Sequence, residues 1–195
     1  VSDSPQCTVL QIDISGFDLK DLVSDGKTFQ AVDLFTDIFT TQPGSPELPY
    51  IAKILAIPDQ SGVSVEVSET GKIQTYSNVM CPPARESWWE GKPEPSYEMN
   101  TDVYNRDEFY PATYAAIEKP AVFRDFRISR VSIFPVRYNP AKKELQVVSS
   151  LTIKVNYGKG EIINPKTSPQ RPIAPSFAAL YKSTIFNYKE VLNSQ

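Results

Sequence analysis

In the run "ELQVVSSLTIKVNYG", residues 144–158, apolar and polar side chains alternate: Leu145, Val147, Leu151, Ile153, Val155 and Tyr157 fall on one side of an extended chain, and Glu144, Gln146, Thr152, Lys154 and Asn156 on the other. Successive side chains point to opposite faces only in a strand, so the run predicts one long antiparallel strand that covers a core on one side. The same period places Leu10, Ile12 and Ile14 of "LQIDISGF" together, and Val63, Val65 and Val67 of "GVSVEVSE". In "FRDFRISRVSIFPVRYNP" the alternation is less clean, setting Phe126, Ile128 and Arg130 against Arg127, Val131 and Ile133, and "YNPAKKEL" supplies a turn, so this stretch and the long strand read as a hairpin. "KTFQAVDLFT" and "LPYIAKILAIP" add two strands, parted by the turn-rich "TTQPGSPE". Strands at this spacing, joined by Pro and Gly turns, predict an all-β chain folded as an antiparallel β-sandwich.

Only the end changes period. After the proline-rich connector "NPKTSPQRPIAP", Phe177, Leu180, Tyr181, Ile185 and Tyr188 follow helical spacing, with Ser176 placed to cap a short C-terminal helix. That helix packs either on the sandwich or on a following domain. The division expected is therefore a sandwich over residues 1–160 and a connector with its helix over 161–195.

Composition narrows the function. The 195 residues include 10 Phe, 10 Tyr and 2 Trp, enough to build a core, and carry a formal charge of -3 with Lys and Arg scattered, which gives no footprint for nucleic acid. No run approaches the roughly 18 apolar residues of a membrane span. The start, "VSDSPQCTVL", lacks a charged segment followed by an apolar one and reads as a mature or trimmed end.

The chain has no histidine and two cysteines, Cys7 and Cys81. Ser-His-Asp and Cys-His catalysis are thus excluded within it, and two thiols make no closed zinc site, so no cofactor or metal is expected. The cysteines read either as buried thiols or as a disulfide tying the N-terminal strand to residue 81. Glu86, Glu90 and Glu94 could in principle form a glycosidase pair, but on a Pro-rich loop they read as solvated charges, because catalytic carboxylates need a rigid, partly desolvated frame.

That loop is "CPPARESWWEGKPEPSYE", residues 81–98. Prolines 82, 83, 93 and 95 remove backbone donors and exclude helix and central strand, so Trp88 and Trp89 ride on a loop.

Four stretches, "GSPELPYIAKILAIP", "DVYNRDEFYP", "FRDFRISRVSIFPVRYNPAKKELQVVSSLTIKVNYG" and "LYKSTIFNY", resemble in that order the N-terminal propeptide of the gingipain-type cysteine peptidases. The resemblance implies a sandwich of jelly-roll type, secreted as the front of a bacterial zymogen and followed by a caspase-like peptidase domain that holds the catalytic His and Cys. It implies a non-catalytic propeptide that assists folding of the peptidase, blocks its cleft with the 82–95 loop, and stays bound to it after cleavage. In the family a basic residue of that loop is directed at the specificity pocket. Here the position falls on Trp89, with Trp88 at the rim, and Arg85 and Lys92 are the basic alternatives. Lys182, Lys189 and residues after Gln195 are the candidate cleavage points if the peptidase cuts itself.

A second reading makes the chain a carbohydrate-binding jelly roll, with Trp88, Trp89 and nearby tyrosines stacking on sugar rings. A planar row of aromatics on a sheet face would favour sugar binding, and tryptophans on a protruding loop would favour inhibition. Tyr97, Tyr104, Tyr110 and Tyr114 read as core or half-buried, and Arg124, Arg127, Arg130 and Arg137 as partners of Asp and Glu across the sheet.

Overall fold

A computed structural model describes residues 1–158, 160–169 and 172–193, the side chains of 192 and 193 excepted. Its strands in chain order are β1 (Ser2–Asp3), β2 (Cys7–Asp13), β3 (Asp18–Ser24), β4 (Lys27–Asp33), β5 (Ile51–Ile57), β6 (Val63–Thr70), β7 (Ile73–Tyr76), β8 (Ala115–Ile117), β9 (Ala121–Phe123), β10 (Phe126–Ile133), β11 (Val136–Asn139), β12 (Glu144–Val148) and β13 (Ser150–Tyr157). Among the described residues three helices accompany them: α1 (Thr101–Tyr104), α2 (Pro175–Thr184) and α3 (Tyr188–Asn193). Every pairing between these strands is antiparallel.

One sheet has the order β1-β2-β13-β6, and a second has β5-β10-β8, with β9 also on β10. The alternation read from sequence closes the space between them. Leu10 of β2 and Leu151, Ile153 and Val155 of β13 meet Leu55 and Ile57 of β5 and Val131 and Ile133 of β10 in one buried cluster. Two inward faces packed in this way make a sandwich. The all-β expectation holds.

The long strand expected over 144–157 is two strands in different sheets. It breaks at Ser149, where β12 turns away to pair with β7 and β11 while β13 stays between β2 and β6. The break is possible because β6 and β7 bend beside it at Gly71, where a Cβ would lie 2.3 Å from Ser150 Oγ and 2.6 Å from Ser149 Oγ. Because the two pieces keep the same parity, Leu145 and Val147 stay buried, now in a second cluster with Val32, Leu48, Val79, Cys81, Val136 and Tyr138. The hairpin around "YNPAKKEL" is β11–β12, and β10 ends before Phe134 and Pro135.

The helix begins two residues earlier than a Ser176 cap predicts. Pro175 takes its first position and Ala174 the cap, with no side-chain cap bond, since a proline's missing N–H costs nothing there. Tyr181, Ile185 and Tyr188 pack with Ala56 and Phe126 in a third cluster, on the face of β5 and β10 turned away from the first sheet. Lys182 and Lys189 lie within α2 and α3, where the backbone is not extended as a peptidase needs it.

The cysteines are both free. Cys7 is half-buried at the start of β2 opposite Asn156, whereas Cys81 is fully buried in the second cluster, and the two are not bonded to each other in this structure. Of the four arginines, only Arg130 pairs across the sheet, with Glu118 at 2.6 Å. Arg124 meets its neighbour Asp125 at 3.5 Å, and Arg127 and Arg137 donate to backbone carbonyls.

Candidate functional site

The loop over residues 81–100 starts from a fixed base. Cys81, Pro82, Pro83 and Ala84 are buried, and the Tyr104 hydroxyl donates to the Cys81 carbonyl at 3.0 Å. Segment 44–47 runs beside this base: Gly44 N–H donates to Ala84 O at 2.9 Å, Ala84 N–H to Ser45 O at 2.8 Å and Glu47 N–H to Pro82 O at 2.8 Å. The returning limb reaches the same segment through Asn100 N–H, which donates to Gly44 O at 3.0 Å, and Tyr97 packs on Phe29 of β4.

Above the base the loop leaves the body of the protein. Residues 86–94 are all exposed, and Trp88 and Trp89 retain 54% and 61% of their full accessibility, so neither ring belongs to the core. Proline explains the departure, because Pro93 and Pro95 offer no donors and the segment forms no ladder. The tip is nonetheless ordered by its own bonds. Trp88 Nε1–H donates to the Lys92 carbonyl at 2.6 Å, Lys92 N–H donates to Trp89 O at 3.3 Å, and the Lys92 ammonium lies 5.1 Å from the centre of the Trp89 ring.

The side chains singled out in this loop differ in their partners. Arg85 is engaged within the loop: its Nη1 meets Glu94 Oε1 at 2.5 Å, its guanidinium lies 4.8 Å from the Tyr97 ring centre, and the Glu94 bond raises its pKa further. Trp88 is exposed but tied within the loop by its indole bond to the Lys92 carbonyl. Trp89 and Lys92 face outward together. Hollows of about 450 and 280 Å³ flank the Arg85 side chain, the first between Pro43 and Asn100 and the second between Glu47 and Trp88.

Neither competing chemistry has a frame here. Glu86, Glu90 and Glu94 are exposed, and Glu94 is spent on Arg85, so no desolvated pair of carboxylates arises among them. The tryptophans stand on a protruding loop rather than in a row on a sheet face. The tyrosines are structural: Tyr104 and Tyr110 pack on the second cluster and Tyr114 on the first, and Tyr97 lies between Phe29 and Arg85. The described residues contain no group of three or more His, Cys, Asp or Glu side chains that could hold a metal.

Fold and site together define a β-sandwich whose most developed surface feature is a braced loop carrying two exposed indoles. The family model Propeptide_C25 matches residues 2–194, and the chain belongs to that propeptide family. It is a propeptide domain and not itself a catalytic unit. Gingipain R2 of Porphyromonas gingivalis is 25% identical over 168 residues, which cover 86% of this chain and 23% of that protein. Lys-gingipain of the same species is 24% identical over 176 residues, 87% of this chain and 10% of the relative. The chain thus spans a quarter or less of the length of these relatives.

Among solved structures, the complex of Porphyromonas gingivalis RgpB pro- and mature domains superposes with a TM-score of 0.83 at 21% identity, over 97% of this chain and 95% of the other, which establishes the shared fold. A structure described as giving insight into zymogenic latency of gingipain K matches with a TM-score of 0.67 at 25% identity, over 80% of this chain and 88% of the other.

Sequence reasoning missed segment 43–47 as part of this site. Its only sign was the turn signal "QPGS", some forty residues before the loop it holds.

Proposed function

We propose that this chain is the inhibitory and folding-assisting front of an exported bacterial cysteine peptidase of the gingipain type, and that the 82–95 loop occupies the peptidase cleft. Residues 1–160 form the sandwich, and 161–195 lead to the peptidase domain while α2 and α3 keep that segment on the sandwich. The partner is the cognate peptidase domain, in cis and after cleavage. Family membership supports the inhibitory role, as does the likeness to a pro-domain solved together with its mature domain. No helix among the described residues is long and apolar enough to cross a membrane.

The observation that carries the reading is the exposure of Trp89 at the tip of a loop whose base is tied to the core. A tryptophan offers a large amphipathic surface at little cost in rotamer freedom, which suits it to fill a pocket. Trp89 enters or caps the substrate pocket, Trp88 packs at its rim, and Lys92 lies over the Trp89 ring until binding. The cognate peptidase then accepts a bulky residue where gingipain-type relatives take a basic one.

The test is inhibition of the chain's own peptidase domain by the purified chain. Trp89→Ala should weaken it by about 2 to 4 kcal/mol, or roughly 30- to 1000-fold. Lys92→Ala should change it by less than about tenfold. A folded Trp89→Ala chain with an unchanged inhibition constant would remove Trp89 from the pocket, and a larger loss from Lys92→Ala would put the lysine there instead.

A further inference from the structure

We infer that Gly44, Arg85 and Glu94 are positioning residues that set the shape of the loop before any partner arrives. The inference rests on the reading of residues 82–95 as the inhibitory loop and concerns how that loop is presented.

Gly44 touches both limbs. Its N–H donates to Ala84 on the outgoing limb, and its carbonyl accepts from Asn100 on the returning one, so one residue sets the spacing of the loop's neck. Gly44 has φ +76, and a Cβ there would lie 2.9 Å from Asn100 Cβ and 3.1 Å from Asn100 N. Glycine is therefore required twice: for the left-handed backbone, and because the Asn100 backbone passes where a side chain would stand. Any substitution pushes the limbs apart.

Higher up the neck, Arg85 on one limb and Glu94 on the other close the loop a second time, with Tyr97 beneath the guanidinium. An ion pair with so exposed a carboxylate adds little to global stability. Its effect falls on the loop, where it removes open conformations that would otherwise have to be frozen on binding. Trp88 closes the last turn through Lys92, so closures at Gly44, at Arg85–Glu94 and at the tip deliver Trp89 in one orientation.

Arg85 thus acts through the loop and not on the partner, and the two roles predict different data. The chain has two tryptophans, both at the tip, so its indole N–H resonances report on this region alone. The experiment compares the full chain with Arg85→Gln, Glu94→Gln, the exchanged pair Arg85→Glu with Glu94→Arg, and Gly44→Ala. It measures inhibition of the chain's own peptidase domain and, in the free chain, solvent exchange of the Trp88 indole proton. Each neutralised variant should raise the inhibition constant about tenfold and speed Trp88 exchange by a similar factor. The exchanged pair should recover most of both. Gly44→Ala should act in the same direction and more strongly, and if it does not fold, the ion-pair variants decide the matter.

Unchanged Trp88 exchange in Arg85→Gln and Glu94→Gln would overturn the inference whatever the inhibition data show. Loss of inhibition that the exchanged pair fails to recover, with exchange unchanged, would make Arg85 a direct contact of the partner. If the unaltered chain does not inhibit at all, the proposed function fails, while Trp88 exchange still decides whether the neck is closed.

Discussion

Among the described residues Arg127 is the largest fully buried side chain, and none of their carboxylates lies within bonding distance of it. Its guanidinium donates instead to the carbonyls of Pro58, Ser61, Ile163 and Asn164 at 2.6 to 3.0 Å, binding the β5–β6 turn to the chain beyond β13. A cation used as a hub for carbonyls looks in sequence like any strand arginine, since the acceptors come from turns that no period reveals. Tyr157 is similar. Its alternation with Val155 placed it on the core face, but its bond to Thr8, which in turn donates to Asp3, was not readable.

Burial pushes the Tyr157 phenol from an ordinary value near 10 up to about 12, and it also raises Tyr104, Tyr138 and the Cys81 thiol. Because these folded-state values lie above the unfolded ones, the groups hold more protons when folded. The stability they contribute is complete below the unfolded values and is lost as pH rises through the folded ones. For Tyr157 alone this displacement is worth about 2 to 3 kcal/mol. The urea midpoint should stay level up to about pH 8, begin to fall as the Cys81 thiol of the unfolded chain ionises, and fall most steeply from about pH 10 to 12, and Tyr157→Phe should remove part of that slope. A midpoint unchanged at pH 11 would contradict this.

At the level of elements, alternation found β2, β6, β10 and the pieces of the long strand, and apolar content between turns found β4 and β5. It did not reveal the break at Ser149, because both halves keep one parity and a change of sheet leaves the pattern intact. Strand β3 went unread although "SDGK" marks its hairpin with β4. Asp25 and Gly26 both take positive φ, as a two-residue turn between twisted strands requires, but β3 is mostly exposed and shows little alternation. The helical end was legible in type but not in attachment.

Ile185 makes a parallel bridge with Ile54, and Phe186 N–H donates to Ile54 O at 2.8 Å. The fully buried Asn187 amide then accepts from Ala56 N–H at 2.8 Å and donates to Ala56 O at 3.0 Å. One side chain thereby stands in for a strand along the edge of β5, a role that a single asparagine gives no sign of in sequence. Asn187→Ala leaves both Ala56 backbone groups without this partner and should cost about 1 to 3 kcal/mol. Amide exchange at Ala56 should accelerate in step, and an Asn187→Ala chain with normal stability and Ala56 protection would show that the arm is held by Tyr181, Ile185 and Tyr188 alone.

Across the whole molecule, the sandwich presents a non-catalytic body with a loop held out from one region, and the loop's position depends on contacts far apart in sequence. The prolines and paired tryptophans made the loop visible and the missing histidine excluded the usual nucleophiles. The closure of its neck by Gly44, Arg85 and Glu94 was hidden, because backbone bonds to a remote turn leave no residue pattern. The C-terminal arm seals the opposite face of β5 and β10, so the segment proposed to lead to the peptidase is packed on the same scaffold that carries the loop.

The central claim is that the tryptophan tip is what enters the partner. It is tested most directly by ¹⁹F NMR of the chain labelled with fluorotryptophan, whose two signals both come from the tip, titrated with the unlabelled peptidase domain. The account predicts that the Trp89 signal shifts and loses its response to a soluble quencher as inhibition saturates, with a smaller change at Trp88. Saturating inhibition with both signals still at their free positions and still open to the quencher would show that the peptidase is blocked by some other surface, and would contradict the account.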